Sequence, residues 1–116
     1  MASLDTFGAI MTYAIELESK LHDYYQAAGN SERAREADKR RSKLERVRRE
    51  TVLEITLEAI DGLDATHYVL NTGDSPAALE QVAARFYADV APKINVREAQ
   101  RALERAGREH ETLAQG

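Results

Sequence analysis

Apolar residues recur in steps of three and four between Leu4 and Ala28, and this spacing restricts the possible fold more than any other feature of the chain. The residues that share it are Phe7, Ile10, Ala14, Leu17, Leu21, Tyr24 and Ala28. Such residues lie on one face of an α-helix and form the seam along which helices pack. The sequence therefore predicts a first helix from Leu4 to Ala28, and no period of two that is typical of strands competes with it elsewhere.

A short turn is predicted directly after this helix. Gly29 suits the left-handed position at a helix C-terminus, and Asn30 or Ser31 suits the N-cap of the next helix. A turn this short makes neighbouring helices antiparallel. We expect the second helix to run from about residue 32 to about residue 60, with Leu44 and Val47 on its inner side.

Two more helices are predicted from their end signals. Ser75 followed by Pro76 is an N-cap with proline at the first helical position, and Pro92 ends or kinks this third helix. Asn95 is predicted to cap the fourth helix, with Glu98 as its capping-box partner. The predicted inner faces are Leu79, Ala83, Phe86 and Val90 on the third helix, and Val96, Ala99, Leu103, Ala106, His110 and Leu113 on the fourth.

Residues 61–74, between the second and third helices, show only weak periodicity. A helix of about 25 residues is roughly 37 Å long, and about eleven extended residues can retrace that length. The segment can therefore cross back along the helices, and a short helical turn around residues 65–70 is also compatible. A short turn, a long connection and a second short turn predict an all-α, ferritin-like four-helix bundle forming one domain over residues 1–116.

Composition and motifs exclude several classes of protein. The chain has no cysteine, so it has no disulfide, thiolate metal site or cysteine nucleophile. Its apolar runs are too short to span a membrane, and residues 1–5 do not resemble the start of a signal peptide, so we expect a cytoplasmic protein. It has no Gly-rich phosphate loop, nucleophile elbow or His-Glu-x-x-His motif, which disfavours nucleophilic and nucleotide-dependent catalysis and makes an enzyme the less favoured class.

The charges are unevenly distributed. Residues 33–49 contain nine basic residues and three acidic ones, a local balance of +6 in a chain whose net charge is −4. A cluster of this kind is most often a solvated helix face or a face that meets the acidic side of a second copy. Binding of nucleic acid or of an acidic partner through residues 33–49 is the less favoured alternative.

The second half of the second predicted helix is apolar almost all round, interrupted only by Glu50, Glu54 and Glu58. One bundle face needs fewer apolar residues than this. The surplus forms a second stripe, either Val52, Ile55 and Ala59 or Leu53, Leu57 and Ile60. An exposed stripe of this kind is typical of an interface. We therefore predict a homodimer formed through the second helix.

Two helices share a pattern beside their seams. Glu18 and Tyr25 occupy successive e positions of the heptads in the first helix, and Glu80 and Tyr87 do the same in the third, so each pair reads Glu-x6-Tyr. A carboxylate edging an apolar stripe can be a ligand of iron or manganese, and a phenol can orient it by hydrogen bonding. The structural alternative is that both residues simply edge the core. If the helix pairs form an internal repeat, Glu18 and Glu80 face each other across the interior, each within reach of a tyrosine.

The segment from Ala14 to Ala28, AIELESKLHDYYQAA, resembles the first helix of the rubrerythrin-like branch of the ferritin-like superfamily, in which a glutamate precedes a Phe/Tyr-Tyr pair and an alanine-rich end. The resemblance covers about fifteen residues. It implies a bundle with a di-iron centre held by one glutamate from each of helices 1 and 3 and by Glu-x-x-His from each of helices 2 and 4. Glu18 and Glu80 match the single glutamates.

Helices 2 and 4 depart from that family pattern. The fourth helix has Gly107 where the ligand glutamate is expected before His110, and the second helix has no histidine. The candidate ligands are therefore Glu18, Glu80 and His110 with a fourth from Glu50 or Glu54, and Tyr25 and Tyr87 as their hydrogen-bonding partners. We favour a scaffold that has lost most of its di-iron chemistry and has no cofactor, over a retained iron or manganese site. His110 is then a buried core residue bonded to Glu18 or Tyr87, while His22 and His67 are structural.

Overall fold

Residues 3–115 are described by a computed structural model, and within them four long helices and one short helix follow one another. Residues 1, 2 and 116 of the predicted domain lie outside this range. The helices are α1 (Phe7–Ala27), α2 (Ser31–Glu50), the one-turn α3 (Leu53–Thr56), α4 (Pro76–Val90) and α5 (Arg97–Ala114). The only β-type pairing in the described residues is an isolated bridge between Thr6 and Ala59. The predicted all-α class is confirmed.

The long helices form two hairpins, an N-terminal hairpin of α1 and α2 and a C-terminal hairpin of α4 and α5, which pack against each other. The turn signals act as predicted at two places. Gly29 has a positive φ of 77°, and the Asn30 side chain accepts a hydrogen bond from the backbone N–H of Arg33 at 3.1 Å. Ser75 likewise accepts from the N–H of Ala78 at 3.3 Å.

The predicted start of the fourth helix is wrong. Pro92 lies in a 3-10 turn, Ala91–Lys93, that extends α4, and α5 begins only at Arg97, with Val96 as an N-cap residue that makes no side-chain cap bond. The reason is the side chain of Ile94, which is buried in the core in an extended backbone conformation. Asn95 follows it as an exposed residue, one position before the N-cap residue Val96.

The second helix ends at Glu50, ten residues before its predicted end. Thr51 and Val52 are extended, and Thr51 Oγ1 donates to the carbonyl of Val47 at 2.7 Å. Residues 51–60 are rich in β-branched side chains, which lose rotamer freedom in a helix. The segment instead turns onto the N-terminus of α1, where the N–H of Ile60 donates to the carbonyl of Asp5 at 2.9 Å.

The long connection between the hairpins runs beside α1 from its first turn to its last. The N–H of Phe7 donates to the carbonyl of Glu58, Tyr13 Oη donates to that of Tyr68 at 2.8 Å, and Tyr24 Oη to that of Asp74 at 3.3 Å. The predicted crossover is therefore present. It contains the short helical turn that was also compatible with the sequence, as a 3-10 turn at Ala65–Tyr68.

The predicted inner faces of α4 and of the central part of α5 are buried. On α1 the seam is buried from Phe7 to Leu21, but near its end Tyr25 is buried in place of Tyr24, which is half-buried. Tyr25 is drawn inward by a hydrogen bond to a buried carboxylate of the C-terminal hairpin. Within residues 3–115 no helix combines the length and hydropathy needed to cross a bilayer.

Candidate functional site

Two carboxylates from different hairpins lie in the interior. Glu18 of α1 and Glu80 of α4 are both fully buried. Tyr25 Oη donates to Glu80 Oε1 at 2.6 Å, and Tyr87 Oη donates to Glu18 Oε2 at 2.6 Å. The tyrosine of each hairpin thus donates a hydrogen bond to the glutamate of the other hairpin. This confirms the expectation that the two Glu-x6-Tyr pairs face each other across the interior.

His110 of α5 lies between the two carboxylates. Its Nε2 is 2.7 Å from Glu18 Oε2, its Nδ1 is 2.5 Å from Glu80 Oε2, and its ring stacks on that of Tyr87 with centroids 5.5 Å apart. An ionised carboxylate can only accept, so both ring nitrogens must carry a proton to make these bonds. The geometry therefore places an imidazolium between Glu18 and Glu80.

Arg40 of α2 belongs to the site although the sequence analysis did not single it out. Its side chain is 5 % exposed, its Nε donates to Glu18 Oε1 at 2.9 Å, and its Nη1 donates to Glu109 Oε1 at 3.1 Å. A signal for its burial was available, because residue 40 falls at helical spacing between Ala37 and Leu44, which are both buried. The run of charges at residues 33–49 masked that spacing.

The charges of the cluster stabilise one another. Burial alone lowers the pKa of His110, but the Glu18 and Glu80 carboxylates outweigh it and raise that pKa to about 9. Burial alone raises the pKa of Glu18, but His110 and Arg40 together hold it below its ordinary value. Burial and the Glu18 carboxylate raise the pKa of Tyr87 well above its usual value. Glu18, His110 and Arg40 therefore stabilise one another's charges, and the Tyr87 phenol beside them stays neutral.

Arg33, near the start of α2, belongs to the network and contacts Tyr25 near the end of α1. Its Nη1 donates to Tyr25 Oη at 3.2 Å, and its guanidinium carbon lies 5.5 Å from the centre of the Tyr25 ring. Burial and the hydrogen bond to Glu80 raise the pKa of Tyr25. Arg33 is thus a third cation that turns inward from the basic segment.

Glu50 and Glu54, the candidates for a fourth metal ligand, do not join the site. Both are exposed, and Glu50 lies 3.7 Å from Arg46 on the surface of α2. The prediction placed them on a long second helix, but α2 ends at Glu50 and Glu54 belongs to the one-turn α3. Of the five candidate ligands the fold brings together only Glu18, Glu80 and His110.

The residues of the site do not fit a di-iron centre. Each carboxylate oxygen of Glu18 and Glu80 already accepts a hydrogen bond from a protein donor. The His110 imidazolium has no free lone pair, and the Arg40 guanidinium repels a second cation. Among residues 3–115 no three His, Cys, Asp or Glu side chains are arranged to hold a metal ion.

Gly107, which stands where the family pattern has a ligand glutamate, has a packing role here. A Cβ atom at this position would lie 2.9 Å from Cβ of Tyr87, which is closer than two carbon atoms approach. Glycine therefore lets α5 approach α4 closely enough for His110 to stack on Tyr87. A glutamate in its place would separate the two helices.

The remaining histidines lie outside the site. His22 is half-buried beside Asp23, and His67 is exposed in the connection. Comparison of the chain with known proteins found no matching family model, no matching curated protein and no matching solved structure.

Proposed function

We propose that this chain is a ferritin-like four-helix bundle of the rubrerythrin-like type in which a network of charged side chains has replaced the di-iron centre. The proposal is supported by one observation above all. His110 lies between Glu18 and Glu80, the two glutamates that match the family's ligands, and forms a hydrogen bond to each through one of its ring nitrogens. The arrangement of α1, α2, α4 and α5, with a long connection between the hairpins, agrees with ferritin-like connectivity. The role of the protein is then structural or regulatory rather than oxidative.

The alternative is a residual iron or manganese site at Glu18, Glu80 and His110, and the two functions differ in their response to metal. A ligand that binds only the native state raises Tm. We expect ferrous iron or manganese(II), added in excess to the purified protein, to leave Tm unchanged, because a metal would first have to displace a proton from His110 and compete with Arg40. A stoichiometric metal whose stabilising effect disappears in His110→Ala would contradict the proposal.

We further propose that the protein is a homodimer. Val52, Leu53 and Leu57 are 56 %, 69 % and 67 % exposed and form an apolar patch beside the end of α2. The sequence analysis assigned these residues to the second helix, but they lie in the segment that follows the end of α2. Sedimentation at micromolar concentration tests this: a dimer is expected, and Leu53→Asp with Leu57→Asp should convert it to a monomer. A wild-type monomer of 13.0 kDa would contradict the dimer.

A further inference from the structure

A groove of about 350 Å³ lies between α2 and α5, on the outer side of the buried network. Its floor contains the buried apolar residues Leu44 and Ala106, and Arg40 lies at its inner end. The volume falls within the range of small-ligand sites, which combine an apolar wall with a few fixed polar groups. The groove thus joins the surface to the charged cluster.

The guanidinium of Arg40 is incompletely paired. Its Nη2 is buried and has no hydrogen-bond partner in the described part of the chain, whereas Nε and Nη1 donate to Glu18 and Glu109. An unpaired donor on a buried charged group costs more than an average hydrogen bond contributes. Arg40 therefore retains donor capacity that a further oxygen atom would satisfy.

The interaction between Glu109 and Arg40 is a weak one that another oxyanion can replace. Its side chain is 45 % exposed, it lines the groove, and it engages Arg40 through a single donor, Nη1. A free carboxylate or phosphate can instead engage two guanidinium donors at once, which is the stronger geometry. An external oxyanion can thus replace Glu109 on Arg40.

The rim of the groove is basic. Lys39 and Lys43 of α2 and Arg105 of α5 line it, and none of the three has a carboxylate within 4.0 Å among residues 3–115. The acidic lining residues are Glu36 and Glu109. Since Glu18 already neutralises Arg40, the three unpaired cations leave the groove with a surplus of positive charge, which attracts an anion.

We propose that this groove binds a small organic oxyanion, a carboxylate or a phosphate monoester. Its head group displaces Glu109 and binds Nη1 and Nη2 of Arg40, Lys43 and Arg105 neutralise its charge, and its apolar part lies on Leu44 and Ala106. This site is distinct from the metal position of the family, since Glu18, Glu80 and His110 are not among the residues that line the groove. The inference does not depend on the loss of the di-iron centre.

The test is a titration of the full chain followed by amide chemical shifts in NMR, with inorganic phosphate, phenyl phosphate and benzoate as probes. We expect shifts concentrated on the facing sides of α2 and α5, and tighter binding of phenyl phosphate than of inorganic phosphate because the ring covers apolar surface. The ratio of phenyl phosphate to benzoate affinity identifies the preferred head group. Absence of localised shifts with all three probes at millimolar concentration would overturn the proposal.

Variants separate the groove from general surface charge. Glu109→Gln removes the internal competitor and should tighten phenyl phosphate binding by about three- to fivefold, whereas Lys43→Gln and Arg105→Gln should each weaken it by a similar factor. Arg35→Gln and Arg101→Gln remove the same charge from exposed positions of α2 and α5 outside the groove, and should have little effect. Equal weakening by the groove variants and by these controls would overturn the proposal, as would weaker binding in Glu109→Gln.

Discussion

Raising the pH from 6.5 to about 9 should lower the free energy of unfolding by about 3 kcal/mol through the deprotonation of His110. The pKa of His110 is raised in the folded state, so the stability that its proton provides is fully present below the unfolded value and is lost as the pH passes through the folded one. Glu18 has the opposite sign, because its pKa is lowered on folding. Its contribution is present above pH 4.5 and is lost in acid. Urea unfolding across this pH range measures the effect.

The source of the alkaline loss can be assigned directly. The His110 ring protons, followed by NMR in the wild-type protein, should titrate near pH 9, well above the ordinary histidine pKa of 6.5. In His110→Gln the decline in stability above pH 6.5 should largely disappear, while His22→Gln should retain the wild-type slope. If the His110→Gln variant does not fold, the ring titration of the wild-type protein still shows whether His110 has the raised pKa. A His110 pKa at or below 6.5 would contradict the assignment of a protonated His110 between Glu18 and Glu80.

Arg40→Met should reduce the free energy of unfolding by about 3–5 kcal/mol, because it leaves the buried Glu18 carboxylate without one of its two cations. The matched control is Arg41→Met, on the next residue of the same helix. Arg41 also pairs with two carboxylates, those of Asp38 and Glu45, but these side chains are 29–48 % exposed, so solvent screens the pairs and they contribute little. Chemical denaturation of both variants measures the difference.

A second variant shows whether charge is the reason. Glu18→Gln in the Arg40→Met background removes the charge that lost its partner, so the double variant should be more stable than Arg40→Met alone. Methionine retains most of the apolar length of the arginine side chain, so packing changes little. Equal stability of Arg40→Met and Arg41→Met would contradict the role assigned to Arg40.

The sequence was informative where a helical period and a local end signal agreed. The period of α1 and α4 placed Glu18 and Glu80 beside the seams, and the period of α5 placed His110 on one, so the three central residues of the site could be predicted. The period reports which face a residue occupies and not what lies opposite. The crossed pairing, in which Tyr25 donates to Glu80, could not be deduced without knowledge of how the two hairpins pack.

Other features escaped prediction for physical reasons. Arg40 was grouped with the surface charges because an arginine is rarely buried, and its carboxylate partners Glu18 and Glu109 make this burial tolerable. The end of α2 was misplaced because an apolar segment such as residues 51–60 satisfies a helical period whether it forms a helix or a loop packed on a neighbour. Because α2 ends at Glu50, Glu54 was placed on a helix that does not extend that far, and Glu50 lies at the exposed end of that helix.

The crossed tyrosine and glutamate bonds make the two hairpins depend on each other for folding. The N-terminal hairpin alone would leave Glu18 without Tyr87 and His110, and the C-terminal hairpin alone would leave Glu80 without Tyr25. Each half alone would then keep one donor to its carboxylate, Arg40 for Glu18 and His110 for Glu80, and would lose the donors that the other half supplies. These bonds between the hairpins add to the shared apolar core, and they couple the folding of the two halves.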